Sequence, residues 1–201
     1  MDNAKTELAE LVCTRISHDL IGNIGAFNNI MEILSENNCA IEQDDFNVLA
    51  TAASTLSARQ QFFRIAFGQE TTAIAPDKLR QICRDYLAVA GNRAYALDFE
   101  CNNMAPEMAK ILCLCLMIGA EVCLRGGHIK VQVGRQVVVE TTSQTALSAP
   151  KISVYQQILE GKNPAENTAQ FVQLIYLQEL LGANVPMKLL TTENKMTLII
   201  G

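Results

Sequence analysis

Charge is scarce in this 201-residue chain: only 18% of its residues are Asp, Glu, Lys or Arg, and 49% are hydrophobic. Such a composition excludes a disordered protein. A basic excess is also lacking. Sixteen Lys and Arg stand against 21 Asp and Glu, a formal net charge of −5, which excludes a nucleic-acid binder that relies on a broad positive field. Organised cysteine is lacking: the seven Cys are scattered and form no CxxC pair. A disulfide scaffold or structural zinc site needs ordered spacing, so these read as buried thiols in a reducing compartment, and a cytoplasmic location is expected. Long hydrophobic runs are lacking as well. The longest, Ile111–Ala120, has ten residues, about half a membrane span, and reads as a buried helix. The first ten residues hold three acidic groups and no apolar run, so neither a secretory leader nor a membrane partner is expected. The length suits one large domain or two small ones, with a core that needs no metal or disulfide.

What is present is unevenly placed. Residues 1–70 carry 4 basic and 10 acidic side chains, and the remaining 131 carry 12 and 11. The negative excess sits in the first third. This predicts a boundary near residue 70 and two domains, 1–70 and 76–201, with a linker at 73–76.

Residues 6–36 read as one long helix. Leu8, Leu11, Val12, Ile16, Leu20, Ile24, Phe27, Ile30, Met31 and Leu34 recur mostly at three- and four-residue steps. Gly22 and Gly25 lower the intrinsic propensity, so packing must hold this helix. A polar break at 35–39 precedes a second helical pattern, 44–67, which stops at Gly68. The short connection implies an antiparallel hairpin. Its wide apolar face needs a cover, and nothing downstream repeats the pattern. A homodimeric four-helix bundle is the economical solution; packing of the hairpin on residues 76–200 of its own chain is the alternative.

The rest mixes element types. Helices are predicted at 76–90, 106–124, 151–159 and 167–181, and strands at 95–101, 128–133, 136–141, 185–190 and 195–200. Arg125-Gly126-Gly127 reads as a turn. The expected class is α+β: an N-terminal helical hairpin, then a mainly antiparallel sheet covered by helices.

Only two histidines occur. His128 follows the glycine pair at a strand start and reads as structural. His18 lies inside the first helix, on one face with Gly22, Gly25 and Asn29. That face offers an imidazole, two positions without side chains, and an amide: an exposed nucleophile beside a smooth surface that suits a helix or loop of another protein. A lone helical histidine is more often incidental than functional; here the neighbours carry the functional reading. Imidazole is nucleophilic near neutral pH and can carry a phosphoryl group, and Asp19 beside it can hold the ring proton.

A His-Asp hairpin followed by an α+β domain resembles sensor histidine kinases, whose ATP-binding domain uses an Asn-bearing helix and an Asp-x-Gly-x-Gly segment. Residues 111–121 offer no Asn, residues 141–146 contain neither Asp nor Gly, and no Gly-rich phosphate loop occurs. Nucleotide phosphates need backbone donors, an ion and a cation in place. The expected domain has the kinase shape without the ATP-driven reaction.

The chain also resembles, over nearly its whole length, the ChpT-type histidine phosphotransferases of alphaproteobacteria. The resemblance lies in Leu11 to Ile21, Gly25-Ala26-Phe27-Asn28-Asn29, Phe63-Arg64-Ile65-Ala66-Phe67-Gly68, Arg125-Gly126-Gly127, and the stretch from Gln170 through Leu180 to Gly182. It implies a homodimer built on a four-helix bundle, with a C-terminal α/β sandwich like the kinase ATP-binding domain that binds no ATP. It implies a histidine that takes a phosphoryl group from the receiver domain of a hybrid kinase and passes it to response regulators. His18 and Asp19 would be the reacting pair; Arg15, Gly22, Gly25 and Asn29 would border the receiver-docking surface, and Arg64 matches the family's arginine at the hairpin's end. The divalent ion would belong to the receiver, so this chain would need no cofactor of its own. One position departs: the family and the kinases commonly have a proline five residues after the histidine, and here Asn23 stands there. The rival reading is a non-catalytic dimeric adaptor or inhibitor of a kinase or response regulator, in which His18 is dispensable.

Overall fold

The computed structural model describes residues 2–36, 42–69, 73–90, 94–101, 106–162 and 168–201. Two long helices come first, α1 (Asp2–Glu36) and α2 (Gln43–Phe67). Helix α1 is unbroken through Gly22, Asn23 and Gly25 and includes Ser35 and Glu36; the rest of the polar break predicted at 35–39 lies outside the described residues. Arg59 of α2 stands level with Asp19 of α1, so the pair runs antiparallel, as expected. Asp44 and Asp45 in the first turn of α2 and Arg64 in its last complement the helix dipole.

Beyond the hairpin come α3 (Pro76–Ala88), β1 (Ala94–Glu100), α4 (Pro106–Val122), β2 (Gly126–Val133), β3 (Val137–Thr142), α5 (Ala149–Leu159), a 3₁₀ turn (Thr168–Phe171), α6 (Val172–Leu181), β4 (Met187–Thr191) and β5 (Lys195–Ile200). The strands form one sheet in the order β1-β2-β3-β5-β4. Only β1 and β2, joined through α4, pair in parallel; the other neighbours are antiparallel. The class is therefore α+β with a mixed, mainly antiparallel sheet.

Alternation decides the layers. Leu97 and Phe99, Ile129 and Val131, Val137 and Val139, and Met196, Leu198 and Ile200 are buried, beneath helices α3, α4 and α5. The opposite face carries polar cross-strand pairs: His128 with Asp98, and the ion pairs of Lys130 with Glu100 and Lys195 with Glu140. The two-layer half shares its core with the root of the hairpin. Phe62, Phe63, Ile65 and Ala66 of α2 belong to the same buried cluster as Leu112–Ile118 of α4, and Phe62 stacks on Tyr86 of α3 with ring centroids 3.8 Å apart. Helix α1 packs on the 3₁₀ turn and α6, with Ile16 and Leu20 against the core. The root of the hairpin thus packs on its own chain.

Its tip does not. Ile21, Ile24, Phe27, Met31 and Ile33 of α1 and Phe46 and Val48 of α2 are exposed; of the large apolar side chains exposed among the described residues, only Leu124 and Leu190 lie elsewhere.

Three predicted elements need correction. Of the turn predicted at Arg125-Gly126-Gly127, only Arg125 lies in a bend; the glycines are already the start of β2, where Gly126 and Gly127 pair with Ala94 and Tyr95. Gly126 has φ of 89° and a Cβ there would fall on the Ala94 carbonyl oxygen; one on Gly127 would fall on the Thr142 carbonyl oxygen. The glycines serve close approach of three strands, not reversal of the chain. Of the helix predicted over 167–181, residue 167 lies outside the described residues and the rest is a 3₁₀ turn followed by α6. The strand predicted at 185–190 begins at Met187, after Pro186, which has no N–H for the ladder.

Gly126→Ala combines a left-handed backbone with a steric overlap and should cost about 2–4 kcal/mol. Gly161 also has positive φ, 76°, but open space around it, so Gly161→Ala should cost about 1 kcal/mol. Urea denaturation of the two variants checks the difference; equal losses would show that strand approach is not what Gly126 serves.

Candidate functional site

His18 projects from the middle of α1 with its side chain 85% exposed. Its Nδ1 lies 3.6 Å from Oδ1 of Asp19, an electrostatic contact too long for a hydrogen bond. Both border a cleft of about 590 Å³ between the hairpin and the sheet-bearing half, closed by Arg59, Tyr86, Lys151 and Gln170.

Beneath the exposed imidazole the site is rigid and charged. Arg15, one turn before Asp19, donates from Nε to Asp19 Oδ2 at 2.8 Å and from Nη1 to the Gln170 carbonyl oxygen at 2.7 Å. From Nη2 it donates to Glu121 Oε1. Arg15 and Glu121 side chains are each only 11% exposed, and Asp19 is 19% exposed. Burial works against the Arg15 charge, but Glu121 first and then Asp19 outweigh it and hold the guanidinium protonated above its ordinary range.

Glu121 needs that cation. It stands in the last turn of α4, which has no basic residue, where the helix dipole disfavours a carboxylate. Its second oxygen, Oε2, accepts from the Tyr155 hydroxyl at 2.8 Å and from Gln173 Nε2 at 2.9 Å. Gln173 and Tyr155 are fully buried and bonded to each other at 2.7 Å. Burial, and then Glu121, push the Tyr155 phenol well above its ordinary range, so it stays a neutral donor. Arg59 fastens the other side: Nη1 donates to the Asp19 carbonyl oxygen and Nη2 to that of Val89 at 3.3 Å.

The sequence-predicted residues divide into three places. His18, Asp19 and Arg15 come together at the cleft. Gly22, Gly25 and Asn29 are exposed further along α1, and a Cβ on either glycine would meet nothing within 4 Å. Arg64 is exposed in the last turn of α2 and does not line the cleft, whose arginine from α2 is Arg59. Glu121, Tyr155, Gln173 and Arg59 escaped the sequence reading. Glu121 had a signal: it follows directly on the ten apolar residues 111–120, and a charge abutting a buried run must find a partner. His128 bonds Asp98 through Nε2 at 2.9 Å on the outer sheet face, far from this chemistry. Among the described residues, no three His, Cys, Asp or Glu side chains cluster as metal ligands, and no helix is long and apolar enough to cross a membrane.

Comparison with known proteins adds the family. The chain is similar to "Protein phosphotransferase ChpT" of Brucella abortus (strain 2308), with 32% identity over 132 residues, 63% of this chain and 61% of that protein. The match thus spans about three fifths of the Brucella protein. A solved structure described as a bacterial phosphotransferase has the same fold, with a TM-score of 0.78 and 23% identity over 98% of this chain and 96% of that one. The family model described as "Histidine phosphotransferase C-terminal domain" matches residues 76–194, more than half of the chain. The chain belongs to the histidine phosphotransferase family.

Proposed function

We propose that this chain is a phosphoryl carrier that relays a phosphoryl group between receiver-domain aspartates, through phospho-His18, from a hybrid kinase to response regulators. The observation that carries the reading is the His18 arrangement: an open imidazole whose Nδ1 faces an Asp19 oxygen, standing on a buried charged platform, in a member of the histidine phosphotransferase family. Attack by the Nε2 lone pair on phosphorus breaks the acyl-phosphate P–O bond, whose electron pair returns to the donor carboxylate. A P–N bond forms, and the reverse step reloads an acceptor aspartate. The ring gains positive charge during attack, and Asp19 faces it.

His18 and Asp19 are the reacting pair in this reading. Arg15, Gly22, Gly25, Asn29 and Arg64 flank or extend the surface that a receiver would cover; the bare glycine positions admit a close-lying helix. Residues 1–70 form the transfer and dimerisation domain, and residues 76–201 a degenerate ATPase-like domain. ATP has no role as donor in this reading, because residues 111–121 offer no Asn and residues 141–146 neither Asp nor Gly to hold its phosphates and magnesium. The apolar tip of the hairpin supports a homodimer: Ile24, Phe27 and Met31 lie at helical spacing on α1, and Phe46 and Val48 in the first two turns of α2 are exposed as well, and a second hairpin covers such a face in a four-helix bundle.

Three outcomes are expected. Incubated with a phosphorylated receiver domain, the wild type acquires acid-labile, base-stable phosphate and His18→Ala acquires none; equal labelling of the variant would remove His18 from the reaction, and no labelling of either favours the adaptor. With ATP and magnesium alone, the wild type remains unlabelled, and autophosphorylation would overturn the reading of residues 76–201. Sedimentation gives a dimer at micromolar concentration, and Ile24→Asp with Phe27→Asp shifts it to monomer; a monomeric wild type would refute the bundle.

A further inference from the structure

We propose that Glu121, on the far wall of the cleft, is a positioning residue for His18, acting through Arg15 to keep one oxygen of Asp19 free for the imidazole. The inference rests on the reading of His18 as phosphoryl acceptor, but its mechanism is visible in the unphosphorylated protein.

The geometry carries it. An arginine and a carboxylate left to themselves form two parallel bonds, which occupy both carboxylate oxygens. Nε and Nη2 are the pair of nitrogens on one guanidinium edge that do this. In the site Arg15 gives Asp19 only Nε, to Oδ2. Nη2 goes to Glu121 and Nη1 to the Gln170 carbonyl. Asp19 Oδ1 is left facing His18 Nδ1 at 3.6 Å. Glu121 is itself fixed by the Tyr155 hydroxyl and the Gln173 amide at its other oxygen, so it cannot swing away without leaving two buried donors unpaired. Helices α4, α5 and α6 thereby act together on a side chain of α1.

The chemical consequence concerns which ring nitrogen reacts. A carboxylate oxygen facing Nδ1 favours the tautomer with hydrogen on Nδ1 and leaves the Nε2 lone pair outward. No proton needs to move when phosphorus arrives: Nε2 bonds to phosphorus, the donor carboxylate takes the electron pair of the broken P–O bond, and the positive ring keeps its Nδ1 hydrogen opposite Asp19. Without the Glu121 charge, Nη2 is released, Asp19 closes onto the arginine with both oxygens, and the imidazole loses its partner. The imidazole is 85% exposed, and its ion-pair contact among the described residues is Asp19.

A role as mere fastener between the hairpin and α4 predicts something different, so the test reads the ring and not only the rate. The chain has two histidines, and His128, bound to Asp98, serves as internal reference. Long-range proton–nitrogen NMR of the neutral ring should find His18 mainly as the Nδ1–H tautomer in the wild type and shifted towards Nε2–H in Glu121→Gln. Single-turnover uptake from a phosphorylated receiver should slow about tenfold or more, with the half-saturating receiver concentration unchanged. In an Asp19→Asn background, Glu121→Gln should produce no further tautomer shift, because the path runs through Asp19. Tyr155→Phe removes one bond to Glu121 and should move the tautomer the same way by less; it decides the question if Glu121→Gln fails to fold. An unmoved tautomer in the variants, with or without a slower rate, overturns the proposal and leaves Glu121 a fastener. If the wild type takes no phosphate from any receiver, the relay reading fails by itself, while the tautomer measurement still decides the positioning.

Discussion

One buried cation organises this molecule. Arg15 lies between two carboxylates and a backbone carbonyl contributed by three different elements, α1, α4 and the 3₁₀ turn. At close range each charge pair is worth about 4 kcal/mol under an effective protein dielectric, while removing each ion from water costs several kcal/mol. The pairs therefore roughly balance their own desolvation. Their effect is on geometry: an arginine with every edge engaged has one orientation, and the carboxylates bound to it have one each. The Arg15 cluster ties α1 to α4 and to the 3₁₀ turn one turn away from His18.

This constraint divides the hairpin in two. Below His18, α1 and α2 are fastened to their own chain by Arg15, Arg59 and the Phe62–Phe67 end of α2, whose aromatic rings stack on Tyr86 and lie against Tyr176. Above it, the same helices carry their exposed apolar side chains. The histidine sits at the junction, where a rigid root meets a tip that still has surface to cover. Such a position suits a group that must be accessible yet stationary. Exposure supplies the access, and the buried platform limits the motion that exposure would otherwise permit.

Much of this was legible in the chain because it is local. The three- and four-residue recurrence marked α1 and α2, and alternation marked β2, β3 and β5. The sequence also offered His18, since its face bears Gly22 and Gly25 where bulk would be usual. What escaped depends on distance along the chain. A glycine pair normally signals a turn, and nothing local separates that from Gly126 and Gly127, whose need for a missing side chain comes from Ala94 and Thr142. Arg15 and Glu121 are 106 positions apart, and no periodicity relates them. Tyr155 and Gln173 look like ordinary members of half-apolar helices until burial leaves them no water. Arg64 drew attention as the arginine of a recognisable ending, whereas Arg59, one and a half turns earlier, faces the cleft.

Arg59 also bears on the residue that departs from the expected pattern. A proline at position 23 would remove the N–H that an α-helix directs to the carbonyl four residues earlier, that of Asp19. That carbonyl is the one Arg59 reaches from α2. The second helix therefore supplies a charged donor at the point where a proline would leave an acceptor unpaired, next to His18. With Asn23 in place, α1 continues unbroken and the same carbonyl, which has two lone pairs, can accept from both sources. The backbone of Asp19 is held by Arg59 and its side chain by Arg15, so two cations from two helices fix the one residue that faces the imidazole. With Asn23 the helix runs unbroken past the site, and the clamp on Asp19 is complete.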